Sequence, residues 1–355
     1  MNALIFAGGQ GTRLWPASKQ SNPKQLLKFI DNDTLLEHTY KRLVDQINPA
    51  NIFISTLPKY KNLIHSQLPN IKEENFFLEF EKKGLGPALG LSMILLELKD
   101  QPGTFVTSWT DHYIKDQEKY HYTIKLAESF LEKHPDSIVA IGVKPTSAHT
   151  GFRYIQTMDN NLDQKVVDVK EFTDKPNSKQ AEEFLTSGKY LWNTGYFISN
   201  PKHILSLYKK YLPDVHKVLL EIKEALQKDN QKLAAKLFSQ LPEFNFEAFL
   251  IENPNELKAI AADFDWVDVG SWQTIKSIQS TEQENISRGL VYNLGGTGSL
   301  IYNYNINQLV TTLNIKDLII VATEDSILIA DKDSSQEIKT LISDLEKNPE
   351  LGKYL

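Results

Sequence analysis

Residues 6–16 read FAGGQGTRLWP, on the end of the apolar run Ala3-Leu4-Ile5-Phe6-Ala7. That run reads as a short buried strand. Gly8, Gly9 and Gly11 then let the backbone bend sharply and approach a ligand with no Cβ in the way. Thr12 and Arg13 add a hydroxyl and a planar, permanently charged fork, both suited to phosphate oxygens. Successive N–H groups in such a turn converge on one point and cradle an anion. Two common phosphate loops are excluded: Leu14 stands where the dinucleotide fingerprint needs its third glycine, and no Gly-Lys-Ser/Thr tripeptide follows. Pro23-Lys24-Gln25 brings a second cation, and Lys24 reads either as the other arm of a polyphosphate clamp or as a solvated surface lysine.

Strand-like and helical patterns alternate beyond this turn. Thr34-Leu35-Leu36-Glu37 matches a capping box, with Leu35, His38, Leu43 and Val44 as the apolar stripe behind it. Stretches 51–56, 105–107 and 137–142 read as strands, 88–98 and 120–133 as helices, and 213–237 as one amphipathic, heavily charged helix. The alternation predicts an α/β fold: a Rossmann-like mixed, mostly parallel sheet with helices on both faces. Ligands of such sheets sit beyond the carboxyl ends of the strands, where the glycine turn lies. From about residue 286 short β-rich runs are spaced by turns such as Gly295-Gly296-Thr297-Gly298. They predict a small β-rich, short β-helix-like C-terminal domain ending in a helix over 335–347, although no clean short-period repeat is visible. The boundary is expected near 281–286, dividing a larger domain, 1–283, from 284–355.

Composition narrows the function. The 355 residues carry a net charge of −6, which argues against a nucleic-acid partner. With no cysteine there is no disulfide, zinc–thiolate site or thiol nucleophile. No export signal and no run of membrane-spanning length is seen, so the expectation is a cytoplasmic protein without a membrane partner.

The carboxylates fall in two places. Asp111-His112 follows the strand over 105–107; Asp111 reads either as a Mg²⁺ ligand or as a helix N-cap. In DWVDVGSW (265–272), Asp268 alternates with Val267 and Val269, and Gly270 leaves room for a close approach, while Asp263 and Asp265 read equally as surface charges. Between them, Asp174-Lys175-Pro176 and Asn193 supply groups suited to sugar hydroxyls and an anion. Trp192 and Tyr196 read as core aromatics. His112 and His149 lack the serine and aspartate partners of a nucleophilic triad.

In order along the chain, GGQGTRLWPAS (8–18), PKQLL (23–27), DH (111–112), TGFRYI (150–155), DKP (174–176), LWNTGYF (191–197) and WVDVGSW (266–272) resemble the sugar-1-phosphate nucleotidyltransferases. The resemblance is closest to the mannose-1-phosphate guanylyltransferases (GDP-mannose pyrophosphorylases) and continues into 316–339. It implies that Ala7, Gly8, Gly9, Gly11, Thr12 and Gly86 hold the nucleotide, with Arg13 and Lys24 on its phosphates. It implies that Asp111 and Asp268 hold Mg²⁺, with Arg13, Lys24 and Asp111 as the catalytic set. Gly151, Asp174 and Asn193 would face the sugar and Lys175 its phosphate. The implied substrates are GTP and mannose-1-phosphate, the implied assembly a homodimer through the β-rich segment. The phosphomannose isomerase domain fused to some members has no counterpart in these residues.

Four segments depart from the family pattern. Asp174 stands where the family has Glu, His149 where it has the Glu of Glu-Thr-Gly, and Asn245-Phe246-Glu247-Ala248 where it has Ser-Ile-Asp-Tyr. Lys83-Gly84-Leu85-Gly86-Pro87-Ala88 is similar to the corresponding segment of uridylyltransferases acting on glucose-1-phosphate. UTP with glucose-1-phosphate therefore stands as an alternative substrate pair, and a non-catalytic regulatory homologue as an alternative function.

Overall fold

The apolar run at the start of the chain forms the strand Asn2–Phe6, every residue of which is buried. Leu4 and Phe6 enter one cluster with the helix Leu85–Leu98, while Ala3 and Ile5 alternate with them and have no exposed surface. A strand buried on both faces is the mark of a sheet covered on both sides. The computed structural model describes residues 1–9, 11–158, 165–280 and 283–355. Among these, the strand belongs to a nine-stranded sheet in the order Phe76–Leu78, Ile52–Thr56, Asn2–Phe6, Phe105–Trp109, Tyr190–Ser199, Ile138–Val143, Leu257–Ala262, Val166–Phe172, Tyr154–Thr157. Tyr190–Ser199 and Val166–Phe172 run against the rest, so the sheet is mixed and mostly parallel, as expected.

This sheet and its helices make one compact unit: Met1–Gly8, Tyr40–Trp109 and Ile114–Trp266. Helix Leu85–Leu98 is apolar almost all round and correspondingly buried. The single helix expected over 213–237 is two, Pro213–Gln227 and Gln231–Ser239. Asp229 takes a left-handed φ of 53°, and the Asn230 side chain accepts from the Leu233 N–H, starting the second helix afresh.

The other unit gathers Gly9–Thr39, Thr110–Tyr113 and Val267–Leu355. Three strands, Ile286–Arg288, Leu300–Asn303 and Leu318–Ala322, stack parallel, Val291–Leu294 pairs parallel with Val310–Leu313, and Ile327–Asp331 closes antiparallel. Parallel stacking of successive short strands is β-helix-like. The unit takes in more than residues 284–355 because Leu14, Trp15, Leu27 and Phe29 bury their side chains among Trp272, Leu300, Tyr302, Ile319 and Ile338. The Trp272 indole N–H donates to the Trp15 carbonyl at 3.1 Å and the Tyr302 hydroxyl to the Phe29 carbonyl at 2.5 Å. Of the expected boundary region, 281–282 lie outside the described residues. The closing helix spans Ile338–Glu346, after a 3₁₀ turn at Lys332–Gln336.

Candidate active site

Gly11 starts the 3₁₀ turn Thr12–Leu14 in a left-handed conformation. A Cβ there would lie 2.5 Å from the Lys24 side-chain carbons, so only glycine lets the lysine stem lie across the turn. Pro23 holds extended backbone just before Lys24, which is itself buried. The Lys24 ammonium then donates to Asp111 Oδ2 at 2.6 Å. Asp111 sits in the tight connection between the strands Phe105–Trp109 and His112–Ile114. It is not a helix cap: Asp116 caps the following helix, through the Lys119 N–H. The Val269 N–H donates to the Asp111 carbonyl at 2.8 Å, which fixes the Asp268 segment against it.

Carboxylate oxygens of Asp111 and Asp268 and a ring nitrogen of His112 lie within 4.8 Å of one another. Burial pushes the Asp111 carboxyl up, but the Lys24 ammonium and His112 outweigh it and hold the pKa at about 2. Burial pulls the Lys24 ammonium down, and Asp111 and Asp268 together outweigh that and raise it. The pair is therefore fully ionised at neutral pH. Two carboxylates beside a lysine form a hard-oxygen donor set that fits a divalent cation such as Mg²⁺. Arg13 reaches the same place: a Cβ on Gly270 would meet its guanidinium at 2.9 Å and Asp268 Oδ1 at 3.4 Å. The room at Gly270 is thus filled by Arg13, which also donates to Gln336 Oε1 at 2.9 Å. Gly9 and Thr12 are exposed beside it.

The hydroxyl-binding candidates assemble in the sheet unit. Asn193 lies on Tyr190–Ser199 opposite a register shift between Ala140 and Gly142. Its Oδ1 accepts from the Gly195 N–H at 3.1 Å and its Nδ2 donates to Glu247 Oε1 at 2.7 Å. The other Glu247 oxygen accepts from Arg153 at 2.9 Å, and Arg153 also reaches Asp174 at 3.1 Å. Asp174 and Glu247, two of the departures from the family pattern, thus meet at one guanidinium. Gly151 donates its N–H to His149 Nδ1 at 3.1 Å, and the His149 ring stacks on Phe152 with centroids 4.0 Å apart. Lys175 is exposed, and its backbone N–H donates to Asp174 Oδ1 at 2.8 Å.

Two candidates have their backbone groups already engaged. Ala7 has no exposed surface; its N–H donates to the Ser55 carbonyl and its carbonyl accepts from Thr56 Oγ1, both at 2.9 Å. The Gly86 N–H donates to the Phe244 carbonyl at 3.1 Å and its carbonyl accepts from the Tyr208 hydroxyl at 2.8 Å. A Cβ on Gly86 would sit 2.2 Å from the Phe244 ring, so close packing explains this glycine. Arg153, Glu247 and Gln336 were given no role from the sequence; the signals available were the TGFRYI motif for Arg153 and the departure at Glu247.

A nucleotidyl transferase family model matches residues 2–285, and a MannoseP isomerase/GMP-like beta-helix domain model matches 291–345. The chain is 30% identical over 354 residues to the mannose-1-phosphate guanylyltransferase of Escherichia coli, covering 97% of this chain and 75% of that protein. It is 28% identical over 352 residues to the alginate biosynthesis protein AlgA of Pseudomonas aeruginosa, covering 98% and 72%. A crystal structure described as a mannose-1-phosphate geranyltransferase, from Thermus thermophilus, matches with a TM-score of 0.84 at 25% identity, over 97% of this chain and 99% of that one. The α/β fold with a β-helical C-terminal part, the cation–carboxylate cluster and these relatives agree: the chain belongs to the nucleotidyl transferase family, in its group of mannose-1-phosphate guanylyltransferases.

Proposed function

We propose that this enzyme transfers GMP from GTP to mannose-1-phosphate, forming GDP-mannose and pyrophosphate. The observation that carries the reading is the grouping of Arg13 and Lys24 with the carboxylates Asp111 and Asp268. Such a set serves phosphoryl chemistry, in which charge neutralisation and positioning lower the barrier and no protein nucleophile is required. An oxygen of the sugar-1-phosphate attacks the α-phosphorus; the bond from that phosphorus to the α,β-bridging oxygen breaks, and pyrophosphate leaves. Gly8, Gly9, Gly11 and Thr12 give the triphosphate backbone access, and Arg13 follows the α-phosphoryl oxygens as charge shifts onto them. Lys24 draws in the phosphates. Asp111 and Asp268 would hold Mg²⁺, which when bound neutralises phosphate charge. Asp174, Asn193 and the Gly151 backbone take the sugar hydroxyls, and exposed Lys175 takes the sugar phosphate.

Gly84 and Gly86 pack closely against Phe244, a structural use that weakens the case they make for UTP with glucose-1-phosphate. A regulatory, non-catalytic role would predict loss of the arginine, lysine or paired carboxylates, and all are present. In the β-helical part Leu290, Tyr292, Leu294, Leu309 and Leu313 are each more than half exposed, a face suited to a second copy of the chain. Among the described residues no helix is long and apolar enough to cross a membrane. Dependence on GTP fits an activity in the cytoplasm. Pyrophosphate release from GTP that requires both mannose-1-phosphate and Mg²⁺ tests the proposal; release that ignores the sugar phosphate contradicts it.

A further inference from the structure

Glu247 lies at the start of the helix Phe246–Glu252, with its backbone N–H tied to the Asn245 side chain. Its two carboxylate oxygens face different donors: Oε1 accepts from Asn193 Nδ2 at 2.7 Å and Oε2 from Arg153 at 2.9 Å. Arg153 in turn links this cluster to Asp174, whose side chain is 73% exposed against 17% for Arg153 and Glu247. Asn193 is buried, and its Oδ1 is already held by the Gly195 N–H. Glu247 therefore fixes which way the Asn193 amide points and holds the guanidinium that steadies the exposed carboxylate of Asp174.

We propose that Glu247 is a positioning residue for the sugar phosphate, acting through Arg153 and Asn193. The inference rests on the assignment of Asp174 and Asn193 to the sugar. Preorganisation is the physical basis: two hydroxyl-binding groups held in place by one largely shielded carboxylate lose less freedom when the sugar arrives. Replacing Glu247 by Gln keeps the size but turns an N–H toward one of two donors, so one of the two links must break. None of the triphosphate groups is touched.

The test is steady-state kinetics on the full chain, with GTP and the sugar phosphate varied separately. Glu247→Gln should raise KM for mannose-1-phosphate about tenfold, and leave kcat and KM for GTP within about twofold. Arg153→Met should act in the same direction. The double variant should be no worse than about twice the weaker-binding single variant, because the two side chains act in one chain of contacts. Partial unfolding would lower apparent kcat without moving KM, so a stability loss leaves the split readable. An unchanged KM for the sugar phosphate, equal effects on both substrates, or multiplying effects in the double variant would overturn the proposal. A wild-type protein that prefers UTP and glucose-1-phosphate would change the functional reading alone, because the same split is then read with that sugar phosphate. A wild type inactive with every pair would overturn both.

Discussion

Lys24 stands on Asp111 at 2.6 Å, and the pair can form only because residue 11 has no side chain. Three substitutions separate charge from architecture here. Asp268→Asn keeps the size of a partly buried side chain and removes one charged oxygen, so turnover should fall by about two orders of magnitude or more while thermal unfolding stays near that of the wild type; near-normal Mg²⁺-dependent rates would remove Asp268 from the proposed metal set. Arg13→Lys replaces a fork by a point charge, and should lower kcat more than it raises KM for GTP; a change in KM alone would make the arginine a passive anchor. Gly8 is different again, because a Cβ there would meet nothing within 4 Å. Gly8→Ala should therefore leave thermal stability unchanged and weaken GTP binding, since the open space is needed by the ligand. Unaltered GTP kinetics would show that the nucleotide approaches elsewhere.

Gly86 sets the corresponding question for an element, because the start of helix Leu85–Leu98 is built around Phe244. Gly86→Ala should destabilise the fold by about 1–3 kcal/mol through overpacking, measured by denaturant unfolding. If it changes base preference instead and spares stability, the glycine belongs to the nucleotide. Much at this scale was legible beforehand. The Thr34–Glu37 capping box is present with both reciprocal bonds, at 2.7 and 3.2 Å, because its chemistry is local. The break at Asp229-Asn230 was not, because a charged amphipathic pattern continues across it and the capping side chain breaks no period. Long-range pairs had no pattern to announce them: Arg153 meets Glu247 across 94 positions and Arg13 meets Gln336 across 323. Motifs marked the candidate groups, and packing alone showed what holds them.

At the scale of the molecule, the exposed leucines of the paired strands Val291–Leu294 and Val310–Leu313 bear on assembly. A dimer through that face predicts that Leu294→Asp combined with Leu313→Asp gives a monomer in light scattering, with the fold kept because both side chains are exposed; an unchanged dimer would place the interface elsewhere. Phosphate cradle, carboxylates and hydroxyl-binding cluster would all serve one reaction with one base and one sugar. A site built to pair a given base leaves buried polar groups unmatched by another, so discrimination should be strong. The direct measurement is kcat/KM for GTP, UTP, dTTP and ATP, each with mannose-1-phosphate and glucose-1-phosphate, followed by pyrophosphate release. GTP with mannose-1-phosphate should lead every other pair by about a hundredfold or more. A lead for UTP with glucose-1-phosphate, or no pyrophosphate from any pair, would contradict it.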